Sequence, residues 1–144
     1  MKTNIGIDPG ASGAIAWIDS EGAHSSNLKN MTERDVFDLL TEIRINATEV
    51  KAIIEAVHSM PGQGVASSFK FGMSYGGLRM ALIGACIPFE TITPAKWQGT
   101  MKCRTKGDKN VTKKRAQELF PTLKITHANA DALLLAELCR KATR

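Results

Sequence analysis

Three acidic residues sit where the surrounding sequence is too apolar to leave them in water. Asp8 ends the run Asn4-Ile5-Gly6-Ile7, and the turn Pro9-Gly10 follows at once. Glu55 ends a second apolar run, Val50-Lys51-Ala52-Ile53-Ile54. Asp131 stands at the head of a third, from Ala130 through Leu138. A carboxylate on a buried segment needs hydrogen-bond donors, a cation or a proton. Three of them in one place would suit hard divalent cations, which take oxygen ligands. The plainer alternatives are a turn aspartate at position 8 and, at 131, a helix-start aspartate held by the helix dipole.

A second chemical feature is cationic. Residues 96–115 hold Lys96, Lys102, Arg104, Lys106, Lys109, Lys113, Lys114 and Arg115 against one acid, Asp108. The whole chain carries +5, so the basicity is local and the remainder is slightly acidic. Such a segment is either a solvated basic loop or the footprint of a polyanion, most often nucleic acid. Thr112 has the character of a helix N-cap, which would put Lys113-Lys114-Arg115 in the first turn. Cations there oppose the helix macrodipole, and a bound phosphate would reverse the sign.

The elements that must position these groups follow from periodicity and punctuation. Residues 3–8 and 13–18 read as strands joined by the Pro-Gly turn, and residues 23–28 as a third. Thr32 caps an amphipathic helix with Val36, Leu39, Leu40 and Ile43 on one face, ending near Ala47. Residues 50–55 form the next strand. If it lies parallel to the first, Asp8 and Glu55 emerge at the same sheet edge, where open α/β sheets place ligands. After a loop around His58 and Pro61-Gly62, a long helix is expected from Val65 to Ala85. Its Phe69, Met73, Met80 and Gly72, Gly76 form adjoining apolar and small-residue stripes, suited to a dimer seam or to packing on the domain's own sheet. Residues 87–92 read as a fifth strand, and Thr93-Pro94 opens a short helical turn. A polar loop is expected over 98–111, a helix capped by Thr112, and a buried terminal helix beginning near Ala130.

The 144 residues suit one domain, 1–144, with a real core, and 43% hydrophobic content is that of an ordinary globular protein. Three glycines and Asp8 make the start a poor signal peptide, and no run is long enough for a membrane span. Three dispersed cysteines point to free thiols in a reducing compartment.

Ile-Gly-Ile-Asp-Pro-Gly, a strand ending Ile-Ile-Glu, and the terminal Ala-Asp-Ala-Leu-Leu-Leu-Ala helix together resemble the RuvC family of Holliday-junction resolvases, in its compact phage and prophage branch. The resemblance implies an α/β ribonuclease H-like fold, a mixed five-stranded sheet flanked by helices. It implies a homodimer that nicks four-way junction DNA symmetrically with two Mg²⁺ or Mn²⁺ ions, in the cytoplasm of a bacterial cell or phage-infected host. Asp8, Glu55 and Asp131 match the family's catalytic acids. Lys96 and Lys113 match lysines that contact phosphates. His58 or Met60 lies near the position that probes the junction centre, and the helix from Val65 is similar to the dimer helix. The family's fourth metal ligand falls three or four residues before the last Asp, at Ala128 or His127 here. Either His127 is that ligand, or Ala128 stands in place of an Asp and impairs turnover. Other readings are a junction-binding protein without catalysis and a ribonuclease H-like enzyme acting on hybrids. A nucleotide-binding ATPase of the actin type also opens with Asp-x-Gly. It needs two such domains, so no nucleotide cofactor and no membrane partner is expected.

Overall fold

In a computed structural model of the chain, residues 1–58 and 60–142 are described. Ser59, in the loop after the fourth strand, lies outside them.

The three-strand meander forms as its turns dictate. β1 (Lys2–Asp8) pairs antiparallel with β2 (Ala14–Asp19), and β2 with β3 (Gly22–Asn27). α1 (Glu33–Ile45) then crosses over to β4 (Glu49–Glu55), which pairs parallel with β1 on its other side. α1 starts as the sequence indicates. The Thr32 hydroxyl accepts from Asp35 N, and the Asp35 carboxylate accepts from Thr32 N, a reciprocal cap. α2 (Val65–Gly84) leads to β5 (Phe89–Ile92), parallel to β4, and the sheet order is β3-β2-β1-β4-β5. α3 (Pro94–Thr100), α4 (Asn110–Leu119) and α5 (Ala130–Ala142) complete the chain.

Alternation along the strands gives the sheet two apolar faces. Ile5, Ile7, Ile15 and Ile54 pack against α1 and α2. Ala14, Ala16 and Ile53 pack on the opposite face with Trp97 of α3, Ala116 of α4 and the buried α5. α5 lies directly on β1. A Cβ at Gly6 would come 2.2 Å from the Ala132 carbonyl oxygen and the Ala136 nitrogen, so only glycine permits this approach.

Three boundaries differ from the sequence reading. β5 begins at Phe89 because Ile87 N donates to Leu82 O and Cys86 takes a left-handed φ of 58°, an ending that closes α2 instead of starting a strand. α3 extends through Thr100 into the expected loop. α4 starts at Asn110, so Thr112 is not its cap. Thr112 is buried inside the first turn, and its hydroxyl donates to the Lys109 carbonyl. The Asp108 carboxylate instead accepts from Asn110 N at 2.9 Å. Lys113, Lys114 and Arg115 therefore lie beyond the free N–H groups, and Lys109 stands at the helix start.

Candidate metal centre and its basic flank

Parallel pairing aligns β1 and β4 so that Ile7 lies opposite Ile54, and the next residues on each strand are Asp8 and Glu55. Both carboxylates thus leave the sheet at one edge. Behind Asp8, Gly13 closes the turn so tightly that a Cβ there would overlap the Asp8 carbonyl oxygen. The third acid arrives from above. Hydrogen bonds from Thr126 N to Asn129 Oδ1 and from Asn129 N to Thr126 Oγ1 set the start of α5. The buried Asn129 also donates to Ser25 Oγ of β3 and to Lys124 O, tying the helix start to the sheet. Asp131, in the first turn, is then directed at the strand edge. One oxygen from each of Asp8, Glu55 and Asp131 lies within 4.8 Å of the others.

Each acid is half-buried, and each is shifted upward. The Asp8 carboxyl is pushed to about 8 by burial first, then by Asp131 and Glu55, with Lys109 opposing. Burial raises Glu55, the Trp97 hydrogen bond holds it down, and Asp131 raises it further. Burial also raises Asp131, against the Thr112 hydroxyl, Lys109 and His127. Three carboxyls this close disfavour simultaneous ionisation, and a divalent cation among them would remove the conflict. The all-oxygen donor set and the shared exit from the sheet fit Mg²⁺ or Mn²⁺.

The other sequence candidates fall around this centre. His127 is exposed in the turn before α5. It acts on Asp131 through its charge, but it is not part of the converging group among the described residues. Ala128 beside it is half-buried and brings no donor atom. Lys96, Lys102, Arg104, Lys106, Lys109 and Lys114 are exposed along α3, the following loop and α4, while Lys113 is half-buried. Arg115 is engaged internally, its Nε donating to Met101 O and its guanidinium pairing with Glu118. His58 is exposed just past β4. Phe69, Met73 and Met80 are exposed on α2, and a Cβ at Gly72 or Gly76 would meet nothing within 4 Å. These two glycines therefore do not pack on the domain's own sheet. A groove of about 830 Å³ runs between α2 and residues 28–33, and none of the three acids lines it.

Sequence reasoning missed three partners of the acids. Trp97 is fully buried and donates from Nε1 to Glu55 Oε2 at 2.6 Å. Thr112 touches Asp131, and Lys109, assigned only to the basic patch, lies close enough to act on both Asp8 and Asp131. The available signal for Lys109 was Asp108, a turn-forming residue whose carboxylate accepts from Asn110 N at the helix start.

The solved structure of T. thermophilus RuvC in complex with Holliday junction substrate superposes with a TM-score of 0.68 at 15% identity, covering 94% of this chain and 90% of that one. A second Thermus thermophilus RuvC structure gives 0.64 at 17% identity over 93% and 90%. The chain has the RuvC fold. The likeness read from three short motifs therefore extends to the ribonuclease H-like sheet and its flanking helices. No protein-family model and no curated protein sequence matches the chain. Among the described residues, no helix is long and apolar enough to cross a membrane.

Proposed function

We propose that this chain is a RuvC-type endonuclease, a single nuclease domain that resolves four-way DNA junctions in the cytoplasm by paired, symmetric, metal-dependent nicks. The observation that carries the reading is the convergence of Asp8, Glu55 and Asp131 at one edge of a RuvC-fold sheet. Held there by these acids, two Mg²⁺ or Mn²⁺ ions would supply an activated water and stabilise the leaving 3′ oxygen of an in-line displacement.

The residues of the chain divide the remaining work. Asp8, at the end of the central strand β1, would hold the ions together with Glu55 and Asp131. Burial and the neighbouring acids push the Asp8 carboxyl up to about 8, so a ligating Asp8 would have to give up its proton. Lys109 stands beside the acids at the start of α4, where its ammonium can hold the scissile phosphate against their charge. Lys96, Lys102, Arg104, Lys106 and Lys114 extend the cationic surface along which the backbone of a junction arm would lie. His58, exposed beside the Glu55 strand end, faces the junction centre in this reading.

A homodimer presents two such sites. The exposed stripe of Val65, Phe69, Met73, Met80 and Ile83, beside open Gly72 and Gly76, supports α2 as the seam. Sedimentation should show a dimer at micromolar concentration, and a strict monomer contradicts that seam.

A second reading, junction binding without effective cleavage, is favoured by Ala128, a donor-less residue at one of the two positions, with His127, where the RuvC resemblance implies a fourth ligand. Cleavage of a synthetic four-way junction with Mg²⁺ or Mn²⁺ separates the two. The endonuclease reading expects nicks that vanish in Asp8→Asn while binding persists, and a faster rate in Ala128→Asp. Binding without nicks in both the natural chain and Ala128→Asp establishes the second reading. Preferential cutting of an RNA–DNA hybrid would replace the junction as substrate.

A further inference from the structure

Glu55 is the longest of the three acidic side chains and has the most freedom to swing away from its like-charged neighbours. One contact opposes that. The Trp97 indole is fully buried among Met101, Cys103 and α5 residues, and its Nε1–H points at Glu55 Oε2, 2.6 Å away. An indole has one donor and no acceptor, so a buried one needs a fixed partner. A donor bonded to a carboxylate at this distance is a charge-assisted hydrogen bond, among the stronger kinds.

The mounting of the ring is equally rigid. Glu55 pairs with Ile92 in the β4–β5 ladder, and Ala56 N donates to Ile92 O at 2.7 Å. The next residue, Thr93, caps α3 by accepting from Lys96 N, with Pro94 at the first helical position. Trp97 follows within the same helix. Strand end, cap and indole therefore form a short closed bracket around the Glu55 carboxylate.

We propose that Trp97 is a positioning residue of the metal centre: its indole N–H occupies Glu55 Oε2 and keeps the other oxygen turned toward Asp8 and Asp131 before any cation arrives. The proposal rests on the metal-centre reading above. Partners of this kind fix ligand orientation, and their loss commonly weakens metal binding about 10- to 100-fold. A purely space-filling tryptophan would contribute to the core and leave metal affinity to the acids.

The test is Mn²⁺ binding by the metal-free protein, read from the EPR signal of free Mn²⁺. It is run on the natural chain, Trp97→Phe, Glu55→Gln, the double variant and Asp8→Asn. Trp97→Phe keeps the ring and removes the donor, and it should weaken Mn²⁺ binding about tenfold or more. In the Glu55→Gln background the same change should have no further effect, because Trp97 acts through Glu55. Unchanged affinity in Trp97→Phe, or an equal loss in both backgrounds, overturns the proposal. If the natural chain captures no Mn²⁺, or Asp8→Asn captures it equally well, the metal-centre reading itself fails and takes the proposal with it. Should Trp97→Phe not fold, the indole N–H resonance of Trp97 in ¹⁵N-labelled protein decides, assigned with Trp17→Phe. It should move on adding diamagnetic Mg²⁺ and in Glu55→Gln, and a resonance unmoved by both overturns the proposal.

Discussion

At Gly6, β1 and α5 meet backbone to backbone, whereas a short way off, between α3 and α4, two lysines sit in left-handed backbone with their side chains in solvent. The first region is held by contacts that admit no side chain at all. In the second, Lys102 (φ 58°) and Lys106 (φ 49°) occupy a conformation that favours glycine, which stores local strain in an exposed loop. The acids sit beside the close-packed region and most of the cations on the exposed one. That division would suit the proposed nuclease, in which metal ligands must be held to a fraction of an ångström while phosphate contacts follow a flexible polyanion. Three residues cross between the regions. Trp97, Thr112 and Lys109 all come from the basic segment and end on Glu55, Asp131 and Asp8.

If the acids are as crowded as the geometry indicates, stability should report it, and this is the largest effect expected. The Asp8 carboxyl rises from 3.8 to about 8 on folding. The folded chain then retains a proton that the unfolded chain releases, so this stabilisation is full below pH 3.8 and is lost as pH climbs toward 8. Glu55 and Asp131, also raised, add to the same slope. The metal-free protein should therefore melt at progressively lower temperature from pH 4 to pH 8, with a change on the order of a few kcal/mol. Asp8→Asn should flatten much of that fall and raise the melting temperature at pH 8. An identical slope in the variant would mean that Asp8 is not under strain from its neighbours.

A smaller effect is expected in the exposed basic region, and on a different observable. Removing Lys102, Lys106 and Lys114 together, each to Ala, should lower the slope of log affinity for junction DNA against log salt by about three, while Mn²⁺ binding is unchanged. Arg115→Ala sharpens the contrast. Because Arg115 is committed to Met101 O and Glu118, its loss should leave the salt slope alone and cost roughly 1 kcal/mol of stability. A changed slope for Arg115, or an unchanged one for the three lysines, would redraw the boundary between structural cations and those proposed to contact DNA.

The same contrast explains what the sequence disclosed. Asp8, Glu55 and Asp131 were legible because each interrupts or heads an apolar run, and burying those runs leaves the acid few places to go. The Thr32 cap was legible because its reciprocal partner, Asp35, lies three residues away. Trp97 was not, since its acceptor is 42 residues distant and nothing local marks it as anything but core. The start of α4 was misplaced because Thr112 is a residue type that favours the N-cap. It is buried inside the first turn instead, Lys109 is the N-cap residue, and the Asp108 carboxylate accepts from Asn110 N. Starting α4 at Asn110, three residues earlier than a Thr112 cap implies, moves the phosphate argument from Lys113 to Lys109 and brings a cation to the acids that the sequence had left in the loop.

The central claim is that the three carboxylates form one cation site. Anomalous diffraction from crystals soaked in Mn²⁺ tests it most directly. A peak in contact with Asp8, Glu55 and Asp131, with metal–oxygen distances of roughly 2.0–2.6 Å, is the expected result. No peak among the three acids at saturating Mn²⁺, or ions bound only to surface carboxylates elsewhere, would contradict it.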